Sequence, residues 1–456
     1  MNISEKIKDY NNKGINKIKI AITDIDGVLR GKYVSLKKFE SLFKEGGGFC
    51  DCVFGWDVND TLYENPVKFT GWHTAYPDAL YKLDISSERI LPDENVAFYL
   101  ADFVNSDGKN DHPVCPRNMM KRVLAKAESM GYGVNLAFEY EFFLFDETPH
   151  TVREKNYQNL TPLTPGMFGY SVIRTSTYSD LFNDFMDYMS SLNIPVEGLH
   201  CETGPGVWEA ALEYDTALDA ADKATLFKTF TKVFFQKRDL MSTFMARWNL
   251  DYPGQSGHIH QSLFDLKTGK SLFYDKADPN GMSPLMHHYV AGQIKYLKSF
   301  LALAAPTINS YTRLVKGFWA PTASTWGVEN RTTALRVIPG SEKSQRVEFR
   351  VGSADANPYL AGAAMIGAGL LGIEEKLTLD DPVKGNAYDV QDLLDTKYQL
   401  TTCLKDSTNE LRKSKEAPLI FGKEFVEHFV STREWEVMEH EKAITDWQLK
   451  RYFEII

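Results

Sequence analysis

Residues Val134–Asp146 read VNLAFEYEFFLFD, a run dominated by aromatic and aliphatic side chains with two acids in its middle. In an extended chain successive side chains point to opposite faces. Glu139 and Glu141 therefore share one face, roughly 7 Å apart, and Phe138, Tyr140 and Phe142 share the other. A strand this aromatic is expected to be buried on both faces, where two neighbouring carboxylates repel each other unless a cation joins them. The run thus predicts a strand of an α+β protein whose charged face looks onto a metal.

Three further segments repeat the pattern. Val207–Tyr214 (VWEAALEY) carries Glu209, and Glu202 precedes it across a Gly-Pro-Gly turn. Gly257–Ser262 (GHIHQS) aligns His258, His260 and Ser262, and Gln345–Val351 (QRVEFRV) aligns Arg346, Glu348 and Arg350. Each strand taken singly also fits an ordinary half-buried sheet with its polar face in water. Carboxylates with few imidazoles suit Mg²⁺ or Mn²⁺ better than Zn²⁺, and a two-metal site is expected. Arg313, Arg331, Arg336, Arg346 and Arg350 crowd the same part of the chain. They read either as a solvated basic surface or as guanidinium forks for carboxylate and phosphate oxygens. Cations, acids and arginines together suggest phosphoryl transfer.

Outward from these strands, IKIAITDIDGV at Ile18–Val28 followed by Tyr33 and Val34 predicts a hairpin. The stretch to about Asp111 stays turn-rich, with aromatic clusters, and reads as a small sheet domain. Prolines at 113 and 116 precede a helical pattern over Asn118–Met130, which sets a boundary between residues 1–112 and 113–456. Helical patterns follow at Ser179–Leu192, Leu218–Ala246, Leu285–Ala305 and Pro358–Glu375. Gly367-Ala-Gly369-Leu-Leu-Gly372 satisfies a dinucleotide-binding pattern but lies inside a helix with no strand before it, so close helix packing is expected. Gly269-Lys270-Ser271 lacks the earlier glycine of a phosphate-binding loop.

The 456 residues carry 51 Lys+Arg against 61 Asp+Glu, a balance opposed to general nucleic-acid binding. Five scattered cysteines make no disulfide framework, the start shows no secretory segment, and Leu360–Ile373 is too short and glycine-rich to span a bilayer. A cytoplasmic protein with no membrane partner is expected.

The segments EYEFFLFD (139–146), SGHIHQS (256–262), NSYTRLVKGFWAP (309–321), ENRTTALRV (329–337), QRVEFR (345–350) and ADANPYL (354–360) resemble, in order, those of the glutamine synthetase family, class I-like. The resemblance implies an N-terminal β-grasp domain, a catalytic domain with a curved antiparallel sheet flanked by helices, and a homododecamer of two hexameric rings. It assigns Glu141, Glu202 and Glu209 to one Mg²⁺ or Mn²⁺ and Glu139, His258 and Glu348 to a second. Gly254, Arg313 and Arg350 match positions that hold glutamate. His260, Ser262, Arg331, Arg336 and Arg346 match ATP positions, with Glu141, Arg331 and Arg350 as the catalytic set. The implied partners are glutamate, ATP and a small amine.

Two positions depart from enzymes of the family that use ammonia. Trp319 stands where they carry a Glu, and Phe49-Cys50-Asp51-Cys52-Val53-Phe54 replaces an Asp-Gly-Ser-Ser segment whose Asp binds ammonium. Asp51 and Asp57 are the candidate substitutes. Losing anionic neighbours disfavours ammonium and favours a larger, partly apolar amine. The chain resembles the γ-glutamylpolyamine and γ-glutamylalkylamide ligase branch, with glutamine synthesis or a non-catalytic role as alternatives. An acceptor pocket of Trp319, Trp326, Phe54, Trp56 and Asp57 is expected, against simple core packing of the tryptophans.

Overall fold

The computed structural model describes residues 3–65 and 67–456. The N-terminal sheet contains β1 (Lys17–Thr23), β2 (Leu29–Ser35), β3 (Gly47–Cys50), β4 (Asp78–Leu83), β5 (Arg89–Leu91) and β6 (Val96–Phe103), in the order β2-β1-β6-β4-β3 with β5 also on β6. The expected hairpin is β1–β2, and its loop is organised by Asp24, whose Oδ1 accepts from the amides of Asp26 and Val28. Strand β6 shows why the sheet can be buried on both sides. Ala97, Tyr99, Ala101 and Phe103 face a core shared with Tyr10 and Phe39 of the two N-terminal helices, while Val96, Phe98 and Leu100 join the core of the rest of the molecule.

The second sheet contains β7 (Tyr132–Phe145), β8 (Val196–Cys201), β9 (Val207–Leu212), β10 (Asp215–Thr216), β11 (Met241–Thr243), β12 (Gly257–Asp265), β13 (Trp326–Val328), β14 (Leu335–Ile338) and β15 (Arg346–Phe349). Its order is β13-β14-β15-β12-β7-β9-β8, with β10 and β11 on β7. The sheet is antiparallel as expected, with one parallel pairing, β13 with β14, at its edge. The opening stretch of sequence is thus the spine on which four other strands pair. The helix expected to run to Ala246 stops at Gln236: Asp239 takes a left-handed turn (φ 57°), and Met241–Thr243 returns to pair with Phe143–Phe145. Pairing with β7 overrides the helical pattern there.

Behind the charged face, Tyr140 and Phe142 pack against Phe227 and Phe244, Phe138 stacks on Tyr140, and the buried helices Pro284–Ala304 and Pro358–Glu374 close the core. These two helices meet at the glycine-rich segment. A Cβ on Gly292 would lie 2.7 Å from the Gly372 Cα, and one on Gly369 would lie 2.1 Å from the Tyr289 ring. The GxGxxG pattern is therefore a packing seam. Among the described residues, no helix is long and apolar enough to cross a membrane.

Arg117, at the start of the helix Pro116–Ser129, ties the N-terminal sheet to the helix Ala217–Gln236. Its guanidinium grips Asp222 at 2.8 Å through two nitrogens, Asp102 at 2.7 Å and Asp84 at 2.6 Å, and Tyr359 Oη donates to Asp222 at 2.7 Å. Removing one partner of such a network leaves buried charge uncompensated, so Arg117→Ala is expected to cost about 3–5 kcal/mol, read as a lowered urea midpoint. A midpoint unchanged from wild type would show that the network contributes nothing net.

Candidate active site

Register turns four separate strand patterns into one continuous charged face. Glu139 lies opposite His258, Glu141 opposite Glu209, His200 opposite Glu209, His260 opposite Glu348, and Glu348 opposite Arg336. All point to the same side of the sheet because each lies directly across from, or two residues from, another member.

One group comprises Glu139, His258, His260 and Glu348. His258 Nδ1 lies 3.5 Å from Glu139 Oε2 and 3.4 Å from Glu348 Oε1, and His260 Nε2 lies 3.0 Å from Glu139 Oε1. Ligand atoms of Glu139, His260 and Glu348 all lie within 4.8 Å of one another, so His260 stands closer to this group than a purely nucleotide-side position implied. His258 Nε2 is buried and makes no hydrogen bond. Burial, then the charge of Arg350, lowers the His258 pKa against the pull of the carboxylates. Burial opposes ionisation of Glu139, but hydrogen bonds and charge interactions with His258 and His260 outweigh it and lower its pKa.

The other group comprises His200, Glu202 and Glu209, with Glu141 across from Glu209. Sequence reasoning missed His200, because its one signal, a place two residues before Glu202, carries no pattern. His200 Nε2 sits 3.1 Å from Glu202 Oε1, while Glu141 Oε2 accepts from the Ser256 amide at 2.8 Å. Burial, then Glu141, Glu139 and Glu202, pushes the Glu209 carboxyl up to about 9. Without a counter-ion this face holds a proton in place of a charge. The unbonded His258 Nε2 beside crowded carboxylates is a donor set that fits divalent cations.

The arginines are partly engaged by these acids. Arg350 pairs with Glu348 and donates from Nε to the Arg331 carbonyl at 3.1 Å; Arg336 bonds Glu348 at 3.1 Å and Glu329 at 2.9 Å. Arg313 is buried, donating to the carbonyls of Val351 and Arg350, and burial pushes it down to about 10. A Cβ on Gly254 would lie 2.7 Å from Arg313 Cγ, so these two predicted glutamate positions adjoin. His260, Ser262 and Arg346 line a cavity of about 700 Å³ with Glu197, Tyr214 and Lys343. Gly269, Lys270 and Ser271 also line it, from a turn and without the architecture of a phosphate-binding loop.

The expected acceptor pocket divides. Trp319 is 62% exposed, holds a left-handed φ of 59°, and lines a cavity of about 1010 Å³ with Arg331, Glu329 and Lys384, so it is not a core residue. Trp326 is a correction: it is 5% exposed on β13, packs in the main core, and gives its indole N–H to the Asp380 carbonyl at 2.8 Å. Phe54 is a second correction, fully buried and stacked on His112 at 4.8 Å inside the N-terminal core. Trp56 is half-buried under the Arg30 guanidinium. Neither candidate substitute acid is free: Asp57 accepts from the Trp435 indole and the Asn59 and Thr61 amides, and buried Asp51 accepts from Thr70. Cys50 and Cys52 are half-buried free thiols, and burial, then Cys50, pushes Cys52 up to about 12, so it stays an unreactive thiol.

A family model described as "Glutamine synthetase, catalytic domain" matches residues 113–452. The chain belongs to the glutamine synthetase family of ligases, whose members use ATP and divalent metal ions. It is 47% identical to "Type-1 glutamine synthetase 2" of Dictyostelium discoideum, over 96% of this chain and 84% of that one. It is 35% identical to "Glutamate--isopropylamine ligase" of Pseudomonas sp, over 99% of this chain and 98% of that one. The solved structure titled "Apo GmaS without ligand" superposes with a TM-score of 0.84 at 26% identity, covering 97% of this chain and 98% of that one.

Proposed function

We propose that this protein joins the γ-carboxylate of glutamate to an organic amine at the expense of ATP. A γ-carboxylate oxygen attacks the γ-phosphorus, ADP departs, and γ-glutamyl phosphate forms. The amine nitrogen then attacks the γ-carbonyl carbon, expels phosphate and loses a proton. Gly254, Arg313 and Arg350 hold glutamate. Arg331, Arg336 and Arg346 neutralise phosphate charge, with His260 and Ser262 on the nucleotide side. Glu141, Glu202 and Glu209, joined by His200, would hold one Mg²⁺ or Mn²⁺, and Glu139, His258 and Glu348 a second. Such ions, when bound, supply electrostatic stabilisation of the transferring phosphoryl group. Division at residues 112/113, a homododecamer and a cytoplasmic location accompany this reading.

The observation that carries it is Trp319. This exposed indole at a left-handed φ stands, by sequence resemblance, where ammonia-using members carry a Glu, and the candidate substitute acids Asp51 and Asp57 are already engaged by Thr70 and by Trp435, Asn59 and Thr61. A relative named for isopropylamine supports an organic acceptor. Glutamine synthesis is the second reading, favoured by the name of the 47% identical relative. The test is phosphate release from ATP, glutamate and Mg²⁺ with ammonia, methylamine, ethanolamine, isopropylamine, butylamine, putrescine or aniline. Turnover with organic amines exceeding that with ammonia is expected; preference for ammonia over all of them would make this a glutamine synthetase.

A further inference from the structure

The segment 380–391 is fastened to both flanks of Arg331. The Trp326 indole donates to the Asp380 carbonyl at 2.8 Å, and the Val383 amide donates to the Trp326 carbonyl at 2.9 Å. Asn330 Nδ2 donates to the Gly385 carbonyl at 2.8 Å, and the Ala387 amide to Thr332 Oγ1 at 2.9 Å. The Arg331 carbonyl between them accepts from Arg350 Nε at 3.1 Å, so the segment and Arg350 are braced against one turn. Asn386 accepts from the Tyr388 amide and opens the short helix Ala387–Val390, which fixes where Tyr388 stands.

Tyr388 is 8% exposed, and its Oη is buried without a hydrogen-bond partner. A phenol kept only for packing has no use for that oxygen, since burying an unbonded hydroxyl costs stability that a phenyl ring would not. The charges that act on the phenol are those of Arg313 and Arg350, and Arg313 in turn has Glu141, Arg350, Asp355 and Tyr388 for neighbours. Burial raises the Tyr388 pKa against the pull of the two cations, so the oxygen keeps its proton and is a donor. Arg313 spends two nitrogens on the Val351 and Arg350 carbonyls, and Arg350 spends one on Glu348 and one on the Arg331 carbonyl. These bonds lock both guanidiniums in place. Beside them the phenol O–H has nothing in the protein to bind.

Resting on the reading that glutamate is the substrate, we infer that Tyr388 is a further glutamate-binding residue, its hydroxyl donating to a glutamate carboxylate held by Arg313 and Arg350. The carboxylate is the acceptor that the phenol lacks, and a hydrogen bond to an ionised acceptor is about twice as strong as a neutral one. The arginines supply charge, which attracts any small anion. The hydroxyl adds one directional donor, which favours a single carboxylate position. This role is independent of the amine and holds for an organic acceptor or for ammonia.

The experiment is Tyr388→Phe in the full chain, with phosphate release measured against glutamate, ATP and amine in turn at saturating Mg²⁺. The variant is expected to raise KM for glutamate by about 10- to 100-fold, the scale of one hydrogen bond to a charged group. KM for ATP and for the amine should stay within about threefold. The melting temperature without substrates should equal or exceed that of wild type, because only an unbonded hydroxyl is lost. The rise in melting temperature that glutamate causes in the presence of ADP and Mg²⁺ should shrink in step with the weaker affinity. Tyr388→Leu, which removes the ring as well, should show the same glutamate defect together with a lower melting temperature. If wild type releases no phosphate in response to glutamate, the ligase reading falls and this inference with it. If wild type depends on glutamate but Tyr388→Phe keeps its glutamate KM and its thermal response, only this inference falls. A rise shared equally by the KM values for glutamate, ATP and amine, with a lowered melting temperature, makes Tyr388 structural and also overturns it.

Discussion

Glu141→Gln should lower ligation at least a thousandfold at saturating Mg²⁺ while leaving the metal-free protein as stable as wild type or more so. The loss follows from removing a charged metal ligand whose field acts on the transferring phosphoryl group, an effect worth two to three or more orders of magnitude at comparable sites. The stability half follows from the register. Glu141 lies across from Glu209, whose pKa is pushed up to about 9 by burial and by Glu141, Glu139 and Glu202. Glutamine keeps an acceptor for the Ser256 amide and removes one of the repelling charges. The pH dependence has a definite sign. Between the ordinary glutamate value and about 9 the folded protein holds a proton on Glu209 that the unfolded chain has released, so metal-free stability falls as pH rises through that window. In Glu141→Gln this slope should flatten. Glu348→Gln should abolish turnover equally but behave oppositely in stability. Glu348 is 1% exposed and pairs with Arg336 and Arg350; burial opposes its ionisation, but His258 and Arg350 hold its pKa below the usual value. Neutralising it strands two guanidiniums, at a cost on the order of 3 kcal/mol. Thermal melts with EDTA and with Mg²⁺, beside turnover, check both. Near-normal turnover in either variant removes its residue from the metal site.

The split between these two carboxylates marks the limit of what a linear reading gives. Period-two alternation put Glu139 and Glu141, His258 and His260, and Arg346, Glu348 and Arg350 on common faces, and the structure keeps each set together. Alternation contains no register, however. Only the pairing of β7 with β9 and of β12 with β15 shows that Glu209 faces Glu141 while Glu348 faces His260 and, through β14, Arg336. Read singly, all were carboxylates awaiting cations; paired, one acid is crowded by acids and the other is already compensated. His200 escapes for the same reason, since its place opposite Glu209 on β8 leaves no spacing in the sequence. Trp326 and Phe54 failed differently: an aromatic residue near a motif is more often core than wall, and here each is packed behind the surface that it was expected to line. The helix beginning at Ala217 was overextended because the apolar run beyond Gln236 serves a strand on β7, a tertiary choice that propensity does not register.

Wild type should use at least one organic amine with a kcat/KM about 10- to 200-fold above that for ammonia, the range that one or two methylene groups in an apolar pocket provide. Trp319 is the residue on which that margin most depends. Its left-handed φ of 59° is costly for an indole, while the preceding Gly317 at 86° takes the same conformation without strain, so the loop is shaped to present Trp319 to solvent and not to bury it. This separates its role in selecting the amine from its role in folding. Trp319→Gly relieves the backbone and removes the wall, and should leave the melting temperature unchanged or higher while the amine preference collapses toward that for ammonia. Trp319→Glu should shrink the preference as well, by adding an anionic neighbour for ammonium, although ammonia turnover stays low while the second carboxylate is missing. A residue present only for packing predicts the reverse, a loss of stability with acceptor ratios intact. Preference for ammonia over every amine in wild type, or ratios unchanged in both variants, would return the acceptor side to ammonium and make glutamine the product.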